Sequence, residues 1–204
     1  MYTGSFEGSL CSSISFYANK TITTGEGGAF LTNDLEIYNH IKKSHSHGMT
    51  NKRFIHDQKA YNYRMTNIQA GFLYDQLIDL KSILKKKKQI FDKYDSLFEN
   101  LIKLKKIIKI KTEKNTESAT WMYCIIIKNL NYDEFETYMK EKGIEIRPLF
   151  YDVRCHNHLK FKVNYEKCQN STQGVMLPSF SDLKSNDQEY VAECLKSFVH
   201  DKIM

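Results

Sequence analysis

Ser15-Phe16-Tyr17-Ala18-Asn19-Lys20-Thr21-Ile22-Thr23-Thr24-Gly25-Glu26-Gly27-Gly28 is a strand-like run that ends in a lysine and passes at once into a glycine-rich turn. A lysine held on such a turn can be pointed into a pocket, where an amine freed of its proton attacks carbonyls. Ser12 to Tyr17 alternates and predicts a strand, and Gly28-Ala29-Phe30-Leu31-Thr32 predicts another, so the turn joins an antiparallel pair. The order strand, turn, strand is wrong for a dinucleotide fingerprint. Gly25-x-Gly27-Gly28 also lacks the Gly-Lys-Ser/Thr ending of a P-loop. The glycines read as a tight turn needing positive φ, with a phosphate cradle as the alternative.

Working outward, Asn33-Asp34 is placed to cap a helix from about Leu35 to Ser44, which His45-Ser46-His47-Gly48 ends. A polar loop follows to about Lys59. From Thr66 a long helix is predicted. Ala70, Leu73, Leu77, Leu80, Leu84, Phe91, Tyr94, Phe98 and Leu101 recur at alternating spacings of three and four, interrupted only at Lys87. One narrow stripe on so long a helix suits a connector between two lobes or a dimer-facing element. Beyond it, Ile107 to Lys111 alternates, Trp121 to Lys128 is β-prone, and Asp133 to Lys142 predicts a helix closed by Gly143. Ile144 to Phe150 reads as a strand and Val175 to Pro178 as a short extended piece. Ser185-Asn186-Asp187 opens a final amphipathic helix. The second half reads as a small α+β lobe.

A chain of 204 residues, 41% hydrophobic and 26% charged, is sized and composed to bury a core. The N-terminus Met-Tyr-Thr-Gly-Ser-Phe-Glu-Gly has no basic or apolar region of a secretory signal, and no apolar run approaches membrane-spanning length. The five cysteines, Cys11, Cys124, Cys155, Cys168 and Cys194, are scattered and odd in number, which reads as reduced thiols of a cytoplasmic protein. Much of the formal charge of +6 falls between Lys81 and Lys111, including Lys85-Lys86-Lys87-Lys88. The block holds no arginine and no interleaved aromatic to stack on bases, so it reads as a solvated helix face.

Three constellations carry candidate chemistry. Ser15 and Lys20 pair a hydroxyl with an amine. A lysine can form a Schiff base with a carbonyl cofactor such as pyridoxal phosphate, and the hydroxyl can bond that cofactor's phosphate. Tyr61-Asn62-Tyr63-Arg64-Met65-Thr66-Asn67-Ile68-Gln69-Ala70 lies where the long helix starts, a place that favours anions, or that Thr66 or Asn67 simply caps. Cys155-His156-Asn157-His158, with Cys168, has zinc-type ligands at a spacing that matches no common structural zinc pattern, so no metal is expected.

Ser-Phe-x-x-Asn-Lys-Thr-Ile-Thr-Thr-Gly-Glu-Gly-Gly, followed by Tyr-Asn-Tyr-Arg-Met-Thr-Asn-Ile-Gln-Ala, resembles the nucleotide-sugar aminotransferases of the DegT/DnrJ/StrS type. Gly143-Ile144-Glu145-Ile146-Arg147-Pro148-Leu149-Phe150-Tyr151 and Leu177-Pro178-Ser179-Phe180 continue the match in the family's order. The resemblance covers essentially the whole chain. The Asn19 to Thr24 wording and the Arg147-Pro148 segment are nearest the perosamine-forming subfamily, which aminates C4 of a 4-keto-6-deoxy sugar.

The resemblance implies an α/β fold, the C-terminal part of a fold-type I pyridoxal phosphate enzyme that works as a dimer. Residues 1–65 would be part of the large cofactor-binding domain, 66–103 the long connecting helix and 104–204 a small α+β domain. Lys20 matches the Schiff-base lysine, Ser15 the serine on the cofactor phosphate, and Asn62 the asparagine that reaches that phosphate across the dimer interface. Arg64 takes a supporting role. Glutamate is the implied amino donor.

Two departures from the family pattern follow. In the family a substantial segment precedes the lysine strand and supplies a phosphate turn, a ring that stacks on the cofactor and an aspartate for its pyridine nitrogen; here nineteen residues precede Lys20. After Tyr151 the family tends to carry a proline, and this chain has Asp152-Val153-Arg154-Cys155-His156. Three readings therefore stand. The chain is part of a sugar aminotransferase completed by a separate N-terminal half, an inactive remnant of one, or a non-catalytic module that binds through its basic helix.

Overall fold

The computed structural model describes residues 8–110, 112–152, 155–159 and 174–203. The chain is mixed α/β and forms two compact units, Met1–Lys81 and Ser82–Met204. In the first, β1 (Cys11–Ser15) pairs antiparallel with β2 (Gly28–Thr32), Ser15 opposite Gly28 and Cys11 opposite Thr32. The predicted strand is shorter than its alternation suggested. Phe16 leaves the ladder and turns inward, its N–H bonding the Gly27 carbonyl at 2.9 Å. Helix α1 (Leu35–Ser44) starts where Asp34 was expected to cap it, the carboxylate accepting from the Ile37 N–H at 2.9 Å. His45 closes it, with Nδ1 at 2.8 Å from the Lys42 carbonyl oxygen.

The predicted long helix is three helices. They are α2 (Asn67–Ile78), α3 (Leu80–Leu97) and α4 (Glu99–Lys103). The interruptions fall at Asp79 and Phe98, both of low helix propensity, and both hold near-zero ψ rather than helical values. The apolar stripe also divides. Tyr94 and Phe98 are fully buried, whereas α2 buries none of its side chains and leaves Ile68, Phe72, Tyr74 and Ile78 exposed.

The second unit carries a four-stranded antiparallel sheet in the order β3-β4-β6-β5. Its strands are β3 (Ile107–Lys109), β4 (Tyr123–Ile127), β5 (Arg147–Pro148) and β6 (Gly174–Leu177). β4 alternates buried and half-buried residues, the mark of one face turned to a core. β5 shrinks from the predicted seven-residue strand because Pro148 offers no N–H and is tolerated only at the sheet edge, where it lies. Helices α5 (Tyr132–Glu141) and α6 (Ser185–Ile203) cover the sheet's buried side chains with Phe135, Leu195 and Phe198. The Tyr94 ring packs 4.7 Å from that of Tyr123, and its hydroxyl donates to the Pro178 carbonyl at 2.9 Å. The Tyr123 hydroxyl donates to Asp95 at 2.8 Å. Burial pushes both phenols well above their ordinary ionisation range.

Lys87, the interruption in the stripe, is buried in this unit at 5% exposure. A buried ammonium needs partners, and Nζ donates to the Trp121 carbonyl at 2.7 Å and to the Ser179 carbonyl. Desolvation lowers its pKa from 10.5 to about 8. Among the described residues no helix is long and apolar enough to cross a membrane. Of the cysteines there, Cys11 and Cys155 are exposed, Cys124 half-buried and Cys194 buried; Cys168 lies outside the described residues.

The Lys87 shift has a measurable sign. The unfolded chain holds this proton up to about pH 10.5 and the folded chain releases it near 8. Between these values the unfolded state binds more protons, so stability rises with pH, by up to ~1.4 kcal/mol per pH unit. The contribution is full above about 10.5 and lost as pH falls through about 8. Tyr94 and Tyr123 act oppositely above their unfolded pKa, but equally in a Lys87→Met variant. Denaturant unfolding from pH 7 to 11 should therefore show the wild-type-minus-variant difference climbing between 8 and 10.5; a flat difference contradicts the buried ammonium.

Candidate functional site

Lys20 lies in the turn that leaves β1, half-buried, its N–H bonded to the Tyr17 carbonyl at 2.9 Å. The turn is built locally from its threonines. The Thr23 hydroxyl donates to the Phe16 carbonyl at 2.9 Å and accepts from the Gly25 N–H at 2.9 Å. The Thr24 N–H reaches the same Phe16 carbonyl at 2.9 Å, and the Thr24 hydroxyl donates to the Glu26 carbonyl at 2.7 Å. Gly25 sits at φ 77°, open to glycine at no steric cost. Gly28 is required for another reason, because a β-carbon there would stand 2.6 Å from the Ile14 carbonyl oxygen in the facing strand. Gly25 and Gly27 therefore serve a turn at positive φ, as the simpler sequence reading had it, and Gly28 serves the strand pairing, which that reading did not foresee.

Ser15 ends β1 opposite Gly28, five residues before Lys20 and at the same end of the strand. It is exposed, and its Oγ accepts from the Tyr17 N–H at 3.3 Å. A hydroxyl that accepts in this way keeps its own hydrogen for an anion. Asn62 is exposed and forms an isolated antiparallel bridge with Ser46. Tyr61 and Tyr63 flank it with stacked rings 5.0 Å apart, and their N–H groups bond the Ser44 and His45 carbonyls at 3.1 and 2.9 Å. The ring stack and the two backbone bonds thus fix Asn62's neighbours, and Asn62 itself is exposed. Thr66, not Asn67, caps α2, in a capping box with Gln69.

These groups are an amine, a hydroxyl and a carboxamide. The amine suits a carbonyl carbon; the hydroxyl and carboxamide N–H suit a phosphate. The donor set therefore fits a cofactor that offers both. Sequence reasoning missed Gln69 and Gln76, whose side chains bond the turn from α2; the signal available was their spacing, two helical turns on one face.

In the second unit Arg147 is exposed on edge strand β5 and pairs with Glu145 at 3.1 Å. Trp121 and Phe150 stack with ring centroids 6.5 Å apart. His156 and His158 face each other at 5.8 Å, and among the described residues no group of three or more candidate ligands could hold a metal. Val153 and Arg154 of the segment that departs from the family pattern lie outside the described residues.

The model of the DegT/DnrJ/EryC1/StrS aminotransferase family matches residues 2–196. The GDP-perosamine synthase of Escherichia coli O157:H7 is 32% identical over 209 residues, which take in 98% of this chain and 56% of the relative. That of Vibrio cholerae is 32% identical over 196 residues, 92% of this chain and 52% of the relative. Among solved structures, the PLP form of Spr1654 from Streptococcus pneumoniae, classed as a sugar aminotransferase, superposes with TM-score 0.83 at 26% identity over 99% of this chain and 54% of that one. The chain spans about half the length of the curated relatives it matches.

The Gly28 contact gives a test of the strand pair on which Lys20 and Ser15 stand. Gly28→Ala must push β2 away from the Ile14 carbonyl, a backbone group that cannot rotate aside. We expect a loss of ~1–3 kcal/mol in urea unfolding of the first unit, with faster amide exchange in β1. Wild-type exchange in β1 would show the pairing to be looser than described.

Proposed function

This chain belongs to the DegT/DnrJ/EryC1/StrS aminotransferase family, and we propose that it carries the lysine-bearing part of a pyridoxal phosphate-dependent sugar aminotransferase. The reaction is transfer of an amino group, from glutamate, to C4 of a 4-keto-6-deoxy nucleotide sugar in the cytoplasm. The observation that carries the reading is the family match along residues 2–196, with Lys20 on a constrained turn and the Ser15 hydroxyl at the same strand end. The GDP-perosamine synthases among the relatives support the perosamine type of acceptor.

In this reading Lys20 Nζ would hold the cofactor at the cofactor's carbonyl carbon. The Ser15 hydroxyl donates to its phosphate, and Asn62 does so from a second copy of the chain. When bound, the cofactor supplies an electron sink that acidifies the donor's Cα–H bond. Lys20 Nζ, once released, removes the Cα proton of glutamate as a general base. In the second half-reaction the same amine returns a proton at the sugar C4. Water would add at the donor carbon as glutamate leaves as 2-oxoglutarate, and the C4 oxygen of the sugar would leave as water as the nitrogen takes its place. The exposed Ile68, Phe72, Tyr74 and Ile78 of α2 support cover by another polypeptide surface, in a homodimer or from a chain that carries the remainder of the family fold.

The basic-helix alternative has less support. Within Lys85–Lys88, Lys86 pairs with Asp182 at 3.1 Å, Lys88 with Asp92 at 3.1 Å, and Lys87 is buried.

Mixing the purified chain with pyridoxal phosphate should give a visible absorption band that Lys20→Ala abolishes. If the chain alone gives none, the band should appear on adding a polypeptide carrying the first half of a family member. Absence under both conditions leaves the inactive remnant as the reading of this chain.

A further inference from the structure

The turn that carries Lys20 is short of apolar support, and side-chain amides from α2 take its place. Gln76 Oε1 accepts from the Thr23 N–H at 2.9 Å, and Gln76 Nε2 donates to the Thr23 carbonyl at 2.7 Å. One primary amide thus takes both polar backbone groups of a single residue, as a neighbouring strand would. Nε2 also donates to the Phe72 carbonyl at 2.7 Å, which fixes the amide against its own helix. Two helical turns earlier on the same face, Gln69 Nε2 donates to the Glu26 carbonyl at 2.8 Å. Its Oε1 is held by the Thr66 N–H and hydroxyl, each at 3.0 Å. The two amides grip the turn on either side of Gly25. Between them Thr23 ties the turn back to Phe16, the residue that follows Ser15.

We propose that Gln76, with Gln69 beside it, is a positioning residue for Lys20. The lysine stem is long, so the position of its Cα limits where its amine can reach. The Thr23 backbone, three residues on, is a point at which α2 restrains the turn that carries that Cα. A misplacement of about 1 Å at a reacting group can lower a rate by about a hundredfold, so a link that removes this freedom belongs to the working of the lysine. The proposal rests on the reading of Lys20 as the cofactor lysine. It explains why a helix that buries no side chain nonetheless presents two glutamines to one turn.

The test uses the full chain, pyridoxal phosphate with borohydride as a lysine-trapping probe, and amide exchange, in wild type, Gln76→Met and Gln76→Glu. Methionine keeps length and volume and removes both bonds. We expect Thr23 amide protection to fall about tenfold in Gln76→Met. The share of trapped label on Lys20, relative to all other lysines, should fall by a similar factor while helix content by circular dichroism stays the same. Glutamate gives a sharper reading. As a carboxylate it can accept from the Thr23 N–H but repels the Thr23 and Phe72 carbonyls; protonated, it can accept and donate again. Lys20 preference and Thr23 protection, each corrected to wild type at the same pH, should recover in Gln76→Glu as pH falls through the carboxylate range, with no recovery in Gln76→Met. That recovery decides the matter even where Gln76→Met does not fold.

Unchanged protection and unchanged Lys20 preference in Gln76→Met, or no pH recovery in Gln76→Glu, overturns the positioning role. A wild-type chain that labels Lys20 no better than its other lysines, both alone and with the added polypeptide carrying the first half of a family member, overturns the reading of Lys20 and the positioning role with it. Preference kept in both wild type and variant overturns the positioning role alone.

Discussion

The first unit is held by hydrogen bonds more than by a core, and the Gln76–Thr23 amide pair is the bond on which its order turns. Among the described residues of that unit, Phe16 is the sole buried hydrophobic side chain. Two strands and two helices cannot enclose much apolar surface, so the usual source of rigidity is weak. The polar links replace it. The β1–β2 ladder fixes one end of the turn, Gln76 and Gln69 fix its other side, and the threonines fill the middle. Each such bond contributes only ~1 kcal/mol net, but together they restrain a segment that packing would leave loose. A lysine meant to act at a defined point can sit on such a segment only if the restraint is polar and local.

The second unit solves the same problem in the opposite way. Its sheet and helices enclose Tyr94, Phe98, Tyr123, Phe135 and Leu195 with almost no exposure. Polar groups inside that core then act as ties to a single segment. Lys87 Nζ bonds the Ser179 carbonyl, the Tyr94 hydroxyl bonds the Pro178 carbonyl, and the Tyr123 N–H donates to Ser179 Oγ at 3.1 Å. The Leu177-Pro178-Ser179-Phe180 segment is thereby held by three side chains or backbone groups from α3 and β4. Lys87 binds the Trp121 carbonyl as well, so the segment and the start of β4, next to the Trp121–Phe150 ring pair, are set by one ammonium. A methionine could fill the volume but could not satisfy the two carbonyls, which is the physical reason for a lysine inside an apolar stripe.

Much of this was legible in the sequence where the signal is local. Asp34 caps α1 at the expected place, β2 runs Gly28–Thr32 as read, and Gly143 takes positive φ just past α5. These features depend on a few neighbouring residues. What was not legible depends on partners distant in sequence. The apolar spacing from Thr66 to Leu101 runs on through Asp79 and Phe98, whose modest helix propensity is too weak a signal to mark the breaks there, and nothing local marks the change from an exposed to a buried stripe between them. Lys87 reads as a flaw in the stripe until Trp121 and Ser179 are brought to it. Gln76 reads as an ordinary helix polar residue until Thr23, more than fifty positions earlier, supplies its two backbone groups. For the candidate site, the residue types of Ser15, Lys20 and Asn62 were readable, but not the amides that hold the turn.

The lysine block shows why a net charge of +6 is a poor guide to function here. Four consecutive lysines on a helix point in four directions, because successive residues are about 100° apart. One of them must face the core side of α3, and it is Lys87, where two carbonyls neutralise the penalty of burial. Lys86 and Lys88 point outward to Asp182 and Asp92, exposed pairs worth little to stability. A surface that binds a polyanion needs cations left available along one face. The helical geometry of this block instead commits three of its four charges, one to a buried tie and two to exposed pairs, so most of the block serves the architecture of the second unit.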